Sequence, residues 1–161
     1  MLIQTKPLPH TCLVTAFAAI MDMTANELMA KIGHDGTLKT PLESVFRGQT
    51  ITVGHNVQEV IMAMLDKYWI VEIMDPAIVL PGEDDSQVFL SAPNLLNAQD
   101  RIAALLPTHI GVVVGNQEVN GSYFDHAYAW DGNFFLNPDT GGVLVSMPTQ
   151  PEIFYIVEKR Q

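Results

Sequence analysis

The chain has 161 residues, of which 48% are hydrophobic and 16% charged; this is the balance of one folded domain, 1–161, with its own core, and it excludes a disordered chain. Eight basic residues against eighteen acidic ones give a formal charge of −10, which argues against nucleic acid or an anionic membrane as partner, because both are bound through clustered Lys and Arg. A basic protein or peptide is what such a surface attracts, and no apolar run approaches the roughly 20 residues of a membrane span.

The N-terminal stretch "MLIQTKPLPH" has a single lysine and no long apolar run, so it does not read as a secretory signal. Cys12 is the only cysteine, which rules out an internal disulfide and makes a reducing cytoplasm the default setting. From Cys12, "CLVTAFAAIMD" is apolar nearly all round a helical wheel and predicts a central buried helix. Thr11 is its expected N-cap and Pro9 blocks helix upstream, so Cys12 falls in the first turn.

"TANELMAKIG" predicts a second helix, with Thr24 and Glu27 at capping-box spacing and Gly33 past the end. Residues from Gly33 to Gly54 read as loop. "NVQEVIMAMLDKY" repeats the capping-box spacing with Asn56 and Glu59, and puts Val57, Val60, Ile61, Met64 and Leu65 on one face. A further helix is expected over "NAQDRIAALLP".

The rest predicts strands: "YWIVEIM" from Tyr68, "QVFLS" from Gln87, "HIGVVVG" from His109, "DHAYAWD" from Asp125, "NFFLN" from Asn133, "GVLVSM" from Gly142 and "EIFYIVEK" from Glu152. Asp131-Gly132 predicts a two-residue hairpin turn. The fold class is therefore α+β, with N-terminal helices packed on a C-terminal antiparallel sheet.

A cysteine nucleophile must be partly thiolate near neutral pH, which a helix N-terminus and a nearby imidazolium both favour. Cys12 has the first condition and needs a histidine for the second. Of His10, His34, His55, His109 and His126, the last stands apart. With a two-residue turn, His126 faces Asn137 directly across the hairpin, on the same face, and an asparagine beside an imidazole orients it.

No Cys-x-x-Cys or His-x-x-x-His spacing marks a metal site, and no glycine-rich phosphate loop is present, so no metal or cofactor is expected. The sequence carries no signal that sets an oligomeric state. The acidic stretch "PGEDDSQ" is a solvated turn or a docking point for a basic partner.

The stretches "HTCLVTAFAAIMDMTANELMAKIG" and "FDHAYAWDGNFFLNPDTGG" together resemble the papain-like cysteine peptidase superfamily. Within it, the likeness is to the double-glycine leader peptidase branch and its bacterial and phage relatives. The middle of the chain, including "MDPAIVLPGEDDSQVFLSAPNLL", has no such likeness. The resemblance implies a papain-like fold with Cys12 as nucleophile, His126 as general base and Asn137 as the group that orients it, with Asp139 in that place if the hairpin register differs. It also implies that Gln4, the only upstream glutamine, joins the Cys12 backbone amide in an oxyanion hole; Gln4 stands further upstream of the cysteine than the family places it.

The expected activity is acyl transfer from a peptide or protein substrate by a cysteine peptidase or related amide hydrolase. The competing expectation is a papain-like fold without activity, acting as an acidic protein-binding module.

Overall fold

A computed structural model describes residues 1–39, 50–52, 54–74, 77–81, 87–91, 97–119, 122–147 and 150–161. The chain is an α+β domain. Four helices surround a six-stranded antiparallel sheet among these residues.

Helix α1 (Cys12–Ile20) is buried at every position from Val14 to Ile20, which accounts for its lack of a polar face. It ends in a Schellman motif: the Asp22 N–H donates to Ala19 O and the Met23 N–H to Ala18 O, with Asp22 left-handed at φ 54° where glycine is usual. Helix α2 (Ala25–Ile32) and helix α3 (Val57–Met64) open with complete capping boxes, Thr24 with Glu27 and Asn56 with Glu59. On α3 the apolar stripe buries Val57, Val60 and Met64, whereas Leu65, just past the helix, is exposed.

Between α2 and α3 the structure differs from a plain loop. Strands β1 (Thr37–Lys39) and β2 (Thr50–Thr52) pair antiparallel, and the Gly54 N–H donates to Gly36 O at their base. Residues 40–49 lie outside the described set. Strand β4 (Ala77–Pro81), which sequence patterning did not single out, pairs with β5 (Gln87–Ser91). The three acids of "PGEDDSQ" lie outside the described residues.

The main sheet runs β3 (Tyr68–Met74), β10 (Gln150–Lys159), β6 (Gly111–Val119), β7 (Ser122–Trp130), β8 (Phe135–Asn137), β9 (Gly142–Leu144). Strand alternation gives it two apolar faces. Val112, Ala127, Ala129, Leu136, Tyr155 and Val157 meet α1, α2 and α3 on one side. On the other, Val113, Tyr128, Trp130, Phe135, Phe154 and Ile156 meet helix α4 (Ala98–Leu105). The sheet is thus covered on both faces. The Trp130 indole N–H donates to Leu106 O at the end of α4 (2.9 Å). No single helix among the described residues is long and apolar enough to cross a membrane.

The hairpin that carries His126 corrects the expected register. Ala129 pairs with Leu136 and Trp130 with Phe135, so Asp131 to Phe134 form the connection instead of Asp131-Gly132 alone. The cause is the Asp131 carboxylate, which accepts the N–H groups of both Asn133 and Phe134 (2.9 Å each) and widens the turn. Continued by one residue, this register sets Asn137, the last residue of β8, opposite Tyr128, and Asp139 falls in the turn that follows.

Candidate active site

His126 lies near the middle of β7 and is 5% exposed. Its Nε2 is 3.1 Å from Asn137 Oδ1, a diagonal contact across the hairpin. The same oxygen accepts the Asp139 N–H at 2.9 Å, an Asx-turn that fixes which end of the Asn137 amide is the oxygen. A carbonyl oxygen only accepts, so Nε2 carries the proton in that contact. Nδ1 is then the lone pair of the neutral ring.

The Asp139 carboxylate stands 3.9 Å from His126 Nε2 and is paired more closely with Lys6, Nζ to Oδ1 2.5 Å. Burial is the main influence on the imidazole and holds its pKa below the ordinary histidine value; Asp139 and the Asn137 hydrogen bond push it back up, and the Lys6 charge pushes it down. The balance favours the neutral ring, the form a proton acceptor needs.

Cys12 is the first residue of α1 and is half-buried at the edge of the core under that helix. Thr11 is the N-cap in position but not in chemistry. Its hydroxyl donates to Leu8 O (2.8 Å) and accepts the Leu8 N–H (3.3 Å), and makes no bond to the first turn of α1. The positive end of α1 therefore carries no side-chain cap next to the thiol.

Helix α1 packs on β7, the strand of His126. On the same strand, burial is the main influence that raises the Tyr128 hydroxyl pKa, and nearby Asp139 adds to it. The Tyr128 ring also stands edge-on to the His126 ring, centroids 4.6 Å apart at 73°. Alternation along β7 sends Ala127 and Ala129 to the α1 side and Tyr128 and Trp130 to the α4 side, and His126 shares the Tyr128 parity. By that parity the His126 ring lies on the face of β7 opposite α1.

Gln4 does not take the place expected of it. Its Nε2 donates to Met23 O (3.0 Å) and its Oε1 accepts the Ala25 N–H (2.8 Å), so both ends of the amide hold the corner between α1 and α2. That corner is at the far end of α1 from Cys12, on the order of 12 Å along the axis at 1.5 Å per residue. An oxyanion donor must come within about 3 Å of the reacting oxygen, which excludes Gln4 in this arrangement.

The other histidines are engaged elsewhere. His10 Nε2 is 2.8 Å from Asp35 O, and His109 Nδ1 contacts Thr108 Oγ1 and Leu105 O. His34 and His55 stack face to face, with centroids 5.0 Å apart and planes 4° from parallel. The Gly36 N–H donates to His34 Nδ1, which leaves His34 Nε2–H to donate to Glu59 (2.9 Å). His55 Nε2 is 3.2 Å from His34 O, and its buried Nδ1 has no hydrogen-bond partner among the described residues. This pair borders a cavity of about 840 Å³ with Asn56, Glu59 and Tyr155; the described lining includes neither Cys12 nor His126.

No group of three or more His, Cys, Asp or Glu side chains among the described residues is arranged to hold a metal ion. Lys6 and Tyr128 are the site neighbours that sequence reasoning passed over. Lys6 has no local signal, because it joins the site through Asp139, distant in the chain, whereas Tyr128 stands two residues from His126 on the same strand and strand parity could have placed it there. No protein-family model, no curated protein and no solved structure matches this chain.

Proposed function

We propose that the chain is a papain-like cysteine peptidase or related amide hydrolase, with Cys12 as nucleophile, His126 as general base and Asn137 as the group that orients the base. The observation that carries this reading is the His126–Asn137 contact, which commits Nε2–H to an acceptor and leaves Nδ1 as the basic atom. In the reaction, Nδ1 takes the Cys12 proton as the sulfur attacks the substrate carbonyl. The tetrahedral intermediate collapses as the imidazolium returns the proton to the leaving amine, and water, activated by the same ring, then cleaves the thioester. With Gln4 engaged elsewhere, the oxyanion is assigned to backbone N–H groups at the uncapped start of α1. A peptide or protein substrate and a reducing, cytoplasmic setting go with this chemistry.

The test is the rate of Cys12 alkylation by iodoacetamide against pH, in the wild type and in His126→Ala. Fast alkylation that persists to about pH 6 and is lost in the variant is expected of a thiolate coupled to the imidazole. A rate that rises only near the free-thiol pKa of about 8.5, unchanged in the variant, overturns the reading.

A second reading, an inactive papain-like fold that binds a basic protein, is favoured by one observation. The His126 parity on β7 puts its ring on the α4 side, away from the face on which α1 lies.

A further inference from the structure

Lys6 is attached to the turn after β8 at two points. Its backbone N–H donates to Pro138 O (2.7 Å), and its ammonium pairs with the Asp139 carboxylate (2.5 Å) while its side chain is only 22% exposed. That carboxylate stands 3.9 Å from His126 Nε2, beyond hydrogen-bond range, while Asn137 occupies Nε2 at 3.1 Å. Two acceptors thus compete for one N–H, and the charged acceptor, intrinsically the stronger, is the one held back.

We propose that Lys6 is a positioning residue: it holds the Asp139 carboxylate off His126 and so leaves the neutral Asn137 amide as the partner of Nε2. The inference rests on the reading of His126 as a general base.

Its consequence is electrostatic. A carboxylate bonded to Nε2 would stabilise the imidazolium and make the ring a poorer acceptor for a proton, whereas the amide orients it without charge. Four groups bear on this ring: Asp139 and Asn137 from the turn after β8, Lys6 from the N-terminal segment, and Tyr128 from its own strand. Gly115, directly opposite on β6, carries no charge.

The experiment is an NMR titration of the His126 ring in the free protein, which needs no substrate. In Lys6→Met, the freed carboxylate is expected to raise the His126 midpoint by about one unit, while Lys6→Arg keeps the wild-type value. In an Asp139→Asn background, the same Lys6→Met change is expected to have a clearly smaller effect. An unchanged midpoint in folded Lys6→Met overturns the proposal, and so does an equal shift in the two backgrounds, which would mean that Lys6 acts by its own charge. Should Lys6→Met not fold, Asp139→Asn alone decides: a lowered midpoint is expected, and none overturns the proposal. Alkylation of Cys12 that ignores His126→Ala would defeat the peptidase reading instead, without touching this titration.

Discussion

The Asn137 side-chain oxygen accepts two N–H groups at once, His126 Nε2–H at 3.1 Å and the Asp139 backbone at 2.9 Å. The second bond ties the orienting group to its own turn, so the imidazole is held by a fixed acceptor. On the proposed mechanism, His126→Ala costs about 10²- to 10⁴-fold in turnover, the usual contribution of general-base catalysis. Asn137→Ala removes the neutral hydrogen bond to the ring, about 1 kcal/mol, and should cost roughly fivefold per folded molecule. Steady-state rates on an acyl substrate check both. Equal losses in the two variants would mean that Asn137 does more than orient the ring.

Gly111, the first residue of β6, approaches β10 more closely than any side chain allows. A Cβ placed on it would lie 2.0 Å from the Tyr155 carbonyl oxygen and 2.9 Å from its carbon. Both are backbone atoms in the middle of the sheet, so neither can move aside cheaply. Gly111→Ala should therefore destabilise at or above the top of the roughly 1–3 kcal/mol range of overpacking. Gly33→Ala, where φ is 99° but no atom lies within 4 Å, should lose only the left-handed preference, about 1–2 kcal/mol. Urea midpoints of the two variants give the comparison; equal losses would show that the sheet yields at Gly111.

What could be read in the sequence was local. The capping boxes at Thr24 and Asn56 depend on residues within one helical turn, and the nearly all-apolar wheel of α1 is a property of nine consecutive residues. The hairpin register differs from the one the Asp-Gly pair predicts because the Asp131 side chain, not that pair alone, sets the length of the turn. His126 and Asn137 nevertheless share a face, since the longer turn displaces the partner strand by an even number of residues and strand parity survives. Gln4 misled for the opposite reason: its amide is used by Met23 and Ala25, and nothing near Gln4 in the sequence reveals that. The pairing of Lys6 with Asp139 and the stacking of His34 on His55 likewise need the folded chain.

Acid should loosen the fold in a window set by two histidines. Burial is the first cause that holds the pKa of both His126 and His55 below the ordinary value near 6.5. Below that value the unfolded chain takes up protons that the folded one refuses, so stability rises with pH through this window and is lost as pH falls from about 7 toward 5. Protonating His55 would also place a charge on a buried nitrogen without a described partner, stacked on His34 and near His10. Glu27, Asp35 and Glu59 have lowered pKa values as well, but their stabilisation is lost only below about pH 4.5, which separates the two effects. Thermal melts from pH 7.5 to 5 should show a falling Tm, with a shallower slope in His126→Gln and in His55→Gln. A flat profile over that range would contradict the burial argument.

Gln4 separates a structural role from a catalytic one. Its amide bonds to Met23 O and the Ala25 N–H bridge the corner that turns α1 into α2, just past the left-handed Asp22. Gln4→Ala leaves a part-buried carbonyl and a helix-starting N–H without those partners, which should cost about 1–3 kcal/mol of stability. An oxyanion donor would instead cost about 10²- to 10³-fold in turnover with little change in stability. The geometry predicts the first pattern: a lower urea midpoint, an unchanged pH profile of Cys12 alkylation, and turnover per folded molecule within a few-fold of wild type. The reverse pattern, full stability with lost turnover, would require the N-terminal segment to leave this corner and carry Gln4 to the start of α1 when substrate binds.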